Sequence, residues 1–395
     1  MLDLIKLARQ MQGISQHLTQ EATAARRRVD IARQLMDGAI AHQGAFCTLA
    51  AEAKLCFTAA LPIEPLDLKV AIDAAPARHT VVATDGSQIS PSHHEIAYCY
   101  LLNIGRVVLH YGQSRFPLLD SLPEVLYRSE DLYGARQWGL GTEEWMGHRR
   151  TIAEAVALAE LAAQLSAQDT DAAVPRLAMT DGSLIYWFLE TLPGAAQEAV
   201  LGPILAAWDQ LRQRRFPLVG YLSASRSSEG LNFLRLAACP YPTPNCYQHC
   251  DGQLDGSPCQ SFAPLRDVAY WATTLEPGQR SPLWSSSADI LQRYGDIHRV
   301  YFCYLHVGTE VARLEMPQWV ATDPELLNSV LQLTLAQVQK GYGYPVALAE
   351  AHNQAVVRGG DRMRFFALLE QEMIRAGLKN VGTSSKEARK RGSIA

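Results

Sequence analysis

The sequence predicts an α/β protein, in which a mixed β-sheet is flanked by helices and preceded by an N-terminal helical, coiled-coil segment. Residues 79–87 (HTVVATDGS) and 177–183 (LAMTDGS) are short apolar runs that end in an acid and a glycine. Such runs are typical of buried strands. Residues 146–165, between them, place apolar side chains at helical spacing, so strands and a helix alternate. Residues 1 to about 50 carry the repeat of a long helix or a helical hairpin.

Composition limits the class of protein. The chain has 395 residues, 48% of them hydrophobic and 19% charged, and a formal charge of −4. These values are typical of soluble globular proteins and argue against a uniformly basic surface. We expect no membrane-spanning segment, because no apolar run approaches the length that a bilayer requires. Eight cysteines in so long a chain do not form a disulfide framework, so we expect a cytoplasmic protein.

The first 75 residues are predicted to be a helical dimerisation segment. An apolar seam runs along it, formed by Leu4, Leu7, Met11, Ile14, Leu18, Ala22, Ala25, Val29, Ala32 and Met36. Successive four-residue steps around Leu18 form a stutter, which locally unwinds a supercoil. A seam this long has to be covered either by the body of the protein or by a second copy, and we favour the second copy. Pro62, Pro65 and Pro76 then mark a boundary near residue 75.

The two predicted strands each deliver one carboxylate, Asp85 and Asp181, followed in both cases by Gly-Ser. Strand ends at one edge of an open sheet lie close together and commonly bind ligands. Two neighbouring carboxylates repel each other unless a cation or a proton lies between them. Oxygen ligands favour Mg²⁺ or Mn²⁺. The alternative is that Asp-Gly only turns the chain after each strand, which is less convincing for two matching copies.

A cysteine-rich stretch, residues 239–259, interrupts the second half of the chain. It contains four of the eight cysteines: Cys239, Cys246, Cys250 and Cys259. Proline and glycine fill the intervals, so the stretch has few apolar residues with which to build a core. One Zn²⁺ held by the four thiolates would stabilise it. The spacing is not a standard zinc pattern, and free loop cysteines are the alternative.

The order of these elements resembles the ribonuclease H-like nuclease fold, where an acid ends the first strand, a glutamate lies on the next helix and an acid ends the fourth strand. The motifs narrow the resemblance to the NurA family of DNA end-processing nucleases. They are Asp85-Gly86-Ser87 with Pro91 and His94-Glu95, Asp181-Gly182-Ser183-Leu184, Gly220-Tyr221 with Ser225-Arg226, Arg313 with Glu315 and Pro317, and Tyr344-Pro345 with Ala351-His352. They span residues 80–360 in family order, and only their combination is specific. We therefore predict a nuclease domain over residues 76–375 and a basic flexible tail over 376–395.

The resemblance implies a metal-dependent DNA nuclease that uses Mn²⁺ or Mg²⁺. It further implies 5′-to-3′ exonuclease activity with endonuclease activity on single strands, used on DNA ends in double-strand break repair and recombination. A homodimer and a HerA-type hexameric ATPase are the implied partners. Asp85, Asp181 and His352 would be metal ligands, and Tyr344 would act beside them.

Three assignments stay open at this stage. The helix-borne glutamate could be Glu154 or Glu160, and we favour Glu154 because it lies about ten residues before the end of the helix. The sequence alone favours a hydrogen-bonded core residue at His352, and the resemblance reverses this preference toward the active site. Arg226, in a polar loop, could bind a DNA phosphate or simply be solvated.

The main rival function is an actin-like or sugar-kinase-like ATPase, which shares the strand-end acids and uses them to bind a metal-phosphate group. No glycine-rich nucleoside pocket is evident in the sequence, so this rival ranks lower. A nucleic-acid-binding scaffold without catalysis is the second rival. It would keep the fold without needing the acids.

Overall fold

The computed structural model describes residues 3–90, 98–168 and 173–378. They form two compact units. The first unit contains residues 3–72, 221–295 and 299–321, and the second contains residues 73–220, 296–298 and 322–378, less the gaps given above. His94-Glu95, and the tail from residue 379 onward, lie outside the described residues.

The strands of the described chain are β1 Leu61–Pro62, β2 Val70–Ala71, β3 His79–Ile89, β4 Tyr100–Tyr111, β5 Leu118–Leu126, β6 Arg176–Asp181, β7 Leu218–Leu222, β8 Gln279–Arg280, β9 Trp284–Ser285, β10 Val300–His306 and β11 Val311–Pro317. The α-helices are α1 Leu4–Ala41, α2 Gln43–Glu52, α3 Ser129–Tyr133, α4 Thr142–Gln168, α5 Gly194–Gln213, α6 Glu229–Asn232, α7 Arg235–Ala238, α8 Cys246–His249, α9 Asp267–Trp271, α10 Gln318–Ala321, α11 Pro324–Lys340, α12 Val346–Ala355 and α13 Gly359–Arg375. The long elements confirm a mixed sheet flanked by helices.

The second unit is built on a mixed sheet in the order β7-β6-β3-β4-β5. β3 and β4 pair antiparallel along their whole length, and β3 pairs parallel with β6 from Thr80 to Thr84. The six residues at the start of β3 are buried because β3 is a central strand, which explains its continuous apolar and β-branched composition. Helices α4 and α12 both pack on β3 and β4. The strand, helix and strand that the sequence indicates are β3, α4 and β6, and the apolar residues between β3 and residue 112, whose pattern predicts two strands, contribute one long strand, β4.

Two elements of the second unit differ from the prediction. The loop-rich composition of residues 113–145, with several aromatics, predicts mainly loop, yet β5 pairs with β4 along nine residues. β5 is an edge strand with mostly exposed side chains and contains Pro123, so it lacks the pattern of a buried strand. The pattern of residues 184–215 predicts a helix throughout, but α5 begins only at Gly194 after Pro193. The preceding residues form a loop with a short 3₁₀ turn at Trp187–Leu189.

The first unit has a smaller antiparallel sheet, β1-β9-β10-β11, to which β8 adds through β10 and β2 through β8. The second half of α1 packs into its core, with Ala32, Met36 and Ala39 buried against Phe233, Trp271 and other apolar residues. The first half of α1 presents exposed apolar side chains: Leu4 67%, Met11 46%, Ile14 46% and Leu18 60% exposed. The body of the protein therefore covers only the second half of the predicted seam.

A buried ionic network ties the first unit together around Arg313, which is 1% exposed. Its guanidinium donates to Glu315 at 2.7 Å and to Glu229 at 2.9 Å, and lies 3.6 Å from the centroid of the Phe302 ring. Buried charges are stable only when paired in this way.

None of the described helices is both long and apolar enough to cross a bilayer.

Candidate active site

Asp85 lies inside β3, not at its end as predicted. β3 continues to Ile89 because it stays paired with β4, where Asp85 faces Gly105. On the other side the parallel partner β6 ends one residue beyond the last pair, Thr84–Thr180. Asp85 is therefore held in a regular strand by its pairing with β4. On the side of Asp181, the pairing of β3 with β6 has already ended at Thr84. The Gly86-Ser87 pair does not turn the chain here.

Glu154 reaches the same place from α4. The Thr84 hydroxyl donates to the Glu154 backbone carbonyl at 2.9 Å and so fixes the helix on the strand. Gly86 permits this close approach, because a Cβ there would lie 2.5 Å from Glu154 Oε1. Arg150, one turn earlier, pairs with the Glu154 carboxylate at 3.4 Å. Glu160 is an exposed residue and does not line this site, which supports Glu154 as the helix-borne acid.

Asp181 is the last residue of β6, and Gly182 follows it with a φ of +97° that favours glycine. The side chain of Tyr344 forms a hydrogen bond with the Asp181 carboxylate. A proline usually occupies the first helical position, which would make Tyr344 the cap, but here Pro345 is itself the N-cap residue of α12 and Tyr344 precedes it. Two residues that the sequence places far apart are thus in direct contact.

His352 is carried by α12, which packs directly on β4. A Cβ at Gly105 would lie 2.3 Å from the Ala351 carbonyl, so only glycine lets the helix approach this closely. Asn103 donates to the Ala355 carbonyl at 2.8 Å at the end of the helix. His352 Nδ1 lies 2.8 Å from Asp85 Oδ2, and the His352 side chain is 68% exposed. His352 is therefore a partner of Asp85 and not a core histidine.

The carboxylates of this cluster are electrostatically unfavourable in the absence of a cation. Burial raises the pKa of Glu154 to about 8, with Arg150 opposing the shift and the charges of Asp85 and Asp181 adding to it. Burial also raises the pKa of Asp181, and the hydrogen bond from Tyr344 lowers it. A carboxyl group that is desolvated beside other acids binds either a proton or a cation.

A cavity of about 590 Å³ opens over the cluster. Asp85, Glu154 and Asp181 line it together with Arg150 and an aromatic group. In the described residues no three His, Cys, Asp or Glu side chains are already arranged to hold a metal ion. The three carboxylates nevertheless fit a hard divalent cation, since such ions prefer oxygen ligands. The side chains would have to close around the ion.

The remaining predicted residues belong to the first unit. Arg226 is exposed, and its backbone carbonyl accepts a hydrogen bond from Arg266 at 2.7 Å. Cys239, Cys246, Cys250 and Cys259 line one small cavity together with His249, and all four are free thiols. Cys56 also joins them through a side-chain hydrogen bond with Cys246. Sequence reasoning missed Cys56, because it is remote from the others along the chain.

Two features of the active-site cavity were also missed. Arg150 was noted only as a helical residue, although its four-residue spacing from Glu154 indicates an ion pair on one helix face. Tyr186, Trp187 and Phe188 were assigned to a helix, although they line the cavity from the loop that follows Asp181. The Leu-Pro-Gly sequence at residues 192–194 was the signal that the helix starts later.

Comparison with known proteins identifies a family and a similar fold. A family model described as the NurA domain matches residues 79–357. The crystal structure of the NurA nuclease from Sulfolobus solfataricus is similar, with a TM-score of 0.51 and 10% identity over 96% of this chain and 99% of that chain. At this identity the likeness shows the fold alone. No curated protein matched. The family match covers most of the chain and contains the whole cluster from Asp85 to His352, and the chain belongs to the NurA family.

Proposed function

We propose that the protein is a metal-dependent nuclease that hydrolyses phosphodiester bonds of DNA. The observation that carries the proposal is the convergence of Asp85, Glu154 and Asp181, from two strands and a helix, on one cavity. Three carboxylates in a partly buried site are costly unless they bind cations that a substrate phosphate can share. Membership of the NurA family supports the same chemistry.

In the proposed site Asp85, Glu154, Asp181 and His352 would hold one or two Mn²⁺ or Mg²⁺ ions. When bound, such ions activate a water and stabilise the charge on the leaving oxygen. His352, 2.8 Å from Asp85, orients that carboxylate and is exposed enough to hold or give a proton beside the substrate. The Tyr344 hydroxyl orients Asp181 in the same way.

Linear DNA labelled at either end and incubated with the purified full-length protein and Mn²⁺ or Mg²⁺ tests this function. We expect cleavage that requires the cation, and we propose degradation from the 5′ end together with cutting of single strands. An ATPase assay run beside it tests the rival function. ATP hydrolysis without DNA cleavage under any of these cations would contradict the proposal.

Cation binding should depend on pH because of Glu154. Its pKa of about 8 means that a proton must leave before the carboxylate can bind an ion. Below about pH 8 the apparent Mn²⁺ affinity should fall, by up to tenfold per pH unit, and binding should release a proton. Calorimetry in buffers of different ionisation enthalpy measures this. Glu154→Gln should lose the proton release, and an affinity independent of pH from 6 to 8 in the wild type would argue against the role of Glu154.

We also propose that the protein is a homodimer through the exposed half of the α1 seam. Leu4, Met11, Ile14 and Leu18 are exposed at helical spacing, and a second copy would cover them. Removal of residues 1–21 should halve the mass measured by light scattering and leave the melting temperature nearly unchanged, because Ala32 and Met36 remain packed. A full-length protein that is already a monomer at micromolar concentration would refute the dimer.

We also propose that the protein processes DNA ends in double-strand break repair together with a HerA-type ATPase.

The thiol cluster of the first unit is proposed to bind one structural Zn²⁺. Cys239, Cys246, Cys250 and Cys259 line one cavity, and Cys246 begins α8 while Cys250 caps its C-terminus one turn later. Protein purified without added zinc should contain about one equivalent by metal analysis, and Cys246→Ser should lose it. Cys47→Ser is the matched control, since Cys47 is a half-buried thiol outside this cavity. Less than a tenth of an equivalent in the wild type would leave these residues as ordinary thiols.

A further inference from the structure

The cavity over the three acids has a second wall that the proposed chemistry does not use. Tyr186, Trp187 and Phe188 line it directly after the Asp181-Gly182-Ser183 turn, and the buried Trp208 lines it as well. Trp187 is 38% exposed and Phe188 is 42% exposed. Large aromatic side chains left this accessible inside a concave site are typical of ligand-binding surfaces.

This wall is rigid. The Ser183 hydroxyl accepts a hydrogen bond from the Ile185 amide at 3.0 Å, and the Leu189 amide donates to the Tyr186 carbonyl at 3.0 Å. Leu189 is fully buried, and the buried Gln197 donates to its carbonyl at 2.9 Å. The aromatic residues are therefore held in place before any ligand arrives, which lowers the entropic cost of binding.

Phe188 is also supported from behind. Its ring stacks on the buried His148 at 4.8 Å between centroids and 10° between planes. His148 does not line the cavity, so one face of the Phe188 ring is occupied while Phe188 still contributes to the cavity wall. An aromatic ring that is packed on one side and faces a cavity on the other offers a flat surface for stacking.

We infer that this aromatic wall binds one unpaired nucleobase of the DNA strand being cut, by stacking on Trp187 and Phe188. The inference rests on the proposed nuclease function, because it places the adjoining phosphate at Asp85, Glu154 and Asp181. The cavity volume of about 590 Å³ suits one nucleotide and is too small for a length of duplex. A base within a duplex is already stacked and paired, so only a single-stranded or unstacked nucleotide can occupy the site.

The chemistry of the wall points to a base of any sequence. Stacking uses the π-face that all four bases share, so it does not distinguish one base from another. A peptide segment is a weaker fit, since the same cavity carries three carboxylates that would lie against peptide carbonyl groups. The site would thus select for single-stranded DNA at the scissile bond without reading its sequence.

The test compares end-labelled single-stranded oligonucleotides that are intact or carry one abasic residue at a defined position. With wild-type protein and Mn²⁺, an abasic residue should slow cleavage of one adjoining bond by about 5- to 100-fold. Trp187→Ala should cut the intact strand more slowly by a similar factor and show no further loss at the abasic residue. Phe116→Ala is the matched control, since Phe116 is 95% exposed and lies outside the cavity. Melting temperatures verify folding, and Trp187→Phe, which retains an aromatic ring, should recover most of the cleavage rate that Trp187→Ala loses.

Equal cleavage of intact and abasic strands at every position, in a wild-type protein that does cut DNA, would overturn the inference and leave the nuclease function standing. The inference would also be overturned if Trp187→Ala lowered the cleavage rate of intact and abasic strands by the same factor. If the wild type cuts no DNA, the proposed function fails instead. In that case the binding of oligo(dT) and of its abasic counterpart, measured by fluorescence anisotropy, tests the inference separately. A site for a base should still bind the intact strand more tightly, and equal affinities for the two strands would contradict the inference.

Discussion

Replacing Asp85 with asparagine is expected to lower Mn²⁺-dependent cleavage of DNA by about three orders of magnitude while the protein stays folded. Asparagine keeps the shape of the side chain and removes its charge, so a cation shared with the substrate loses one anionic ligand. A loss of about 4 kcal/mol in transition-state stabilisation corresponds to this factor. Folding should survive, because removal of one of several crowded carboxylates relieves repulsion. Initial rates on labelled linear DNA at saturating Mn²⁺ give the effect.

Equivalent substitutions of the other two acids should have the same effect, and a further glutamate on the same helix provides a control. Asp181→Asn and Glu154→Gln should behave like Asp85→Asn, because all three side chains line one cavity. Glu160→Gln should cut DNA like the wild type, since Glu160 is an exposed residue of the same helix outside that cavity. Near-normal cleavage by Asp85→Asn or Asp181→Asn would eliminate the carboxylate site. A Glu160→Gln variant as inactive as Asp85→Asn would transfer the helix-borne role to Glu160.

The central part of the site could be predicted because its signals are local. The β-branched run before Asp85 and the matching run before Asp181 identify two buried strands, and buried strands have few alternative positions. Pro345 indicates where α12 begins and therefore where His352 lies along it. The contacts of His352 with Asp85 and of Tyr344 with Asp181 could only be expected from the family resemblance, since each joins residues far apart in sequence.

The features that sequence reasoning missed depend on tertiary contacts. β5 is held by its pairing with β4 and has no buried face, so its composition does not identify it as a strand. Asp85 was expected at a strand end, because a glycine after an acid usually indicates a turn, whereas Gly86 is required by the approach of Glu154. The aromatic wall after Asp181 is arranged by packing on His148 and Gln197. No local pattern reports such contacts.

The second large effect is expected in the first unit, where Arg313→Met should lower the free energy of unfolding by about 3–5 kcal/mol. Arg313 is buried and is the cation that pairs with both Glu229 and Glu315, which are 4% and 1% exposed. Methionine fills much of the same volume beside Phe302 but leaves two buried carboxylates without that charge. Breaking a buried ion pair on one side costs more than the pair itself contributes. Chemical denaturation followed by tryptophan fluorescence, with Trp271 and Trp284 in the same unit, measures the change.

The dependence of this loss on pH separates an electrostatic cause from a packing cause. Protonation of an unpaired carboxyl group removes the uncompensated charge, so the difference between Arg313→Met and wild type should narrow as the pH falls from 8 to 5. A packing defect alone would give the same difference at every pH.

Arg293→Met is the matched control, since Arg293 is exposed in the same unit and its replacement should change stability by less than about 0.5 kcal/mol. Arg313→Lys should fall between the two, because lysine restores the charge but cannot reproduce the two-sided guanidinium contact with Glu229 and Glu315. A stability of Arg313→Met equal to that of Arg293→Met would show that the network contributes nothing to the fold.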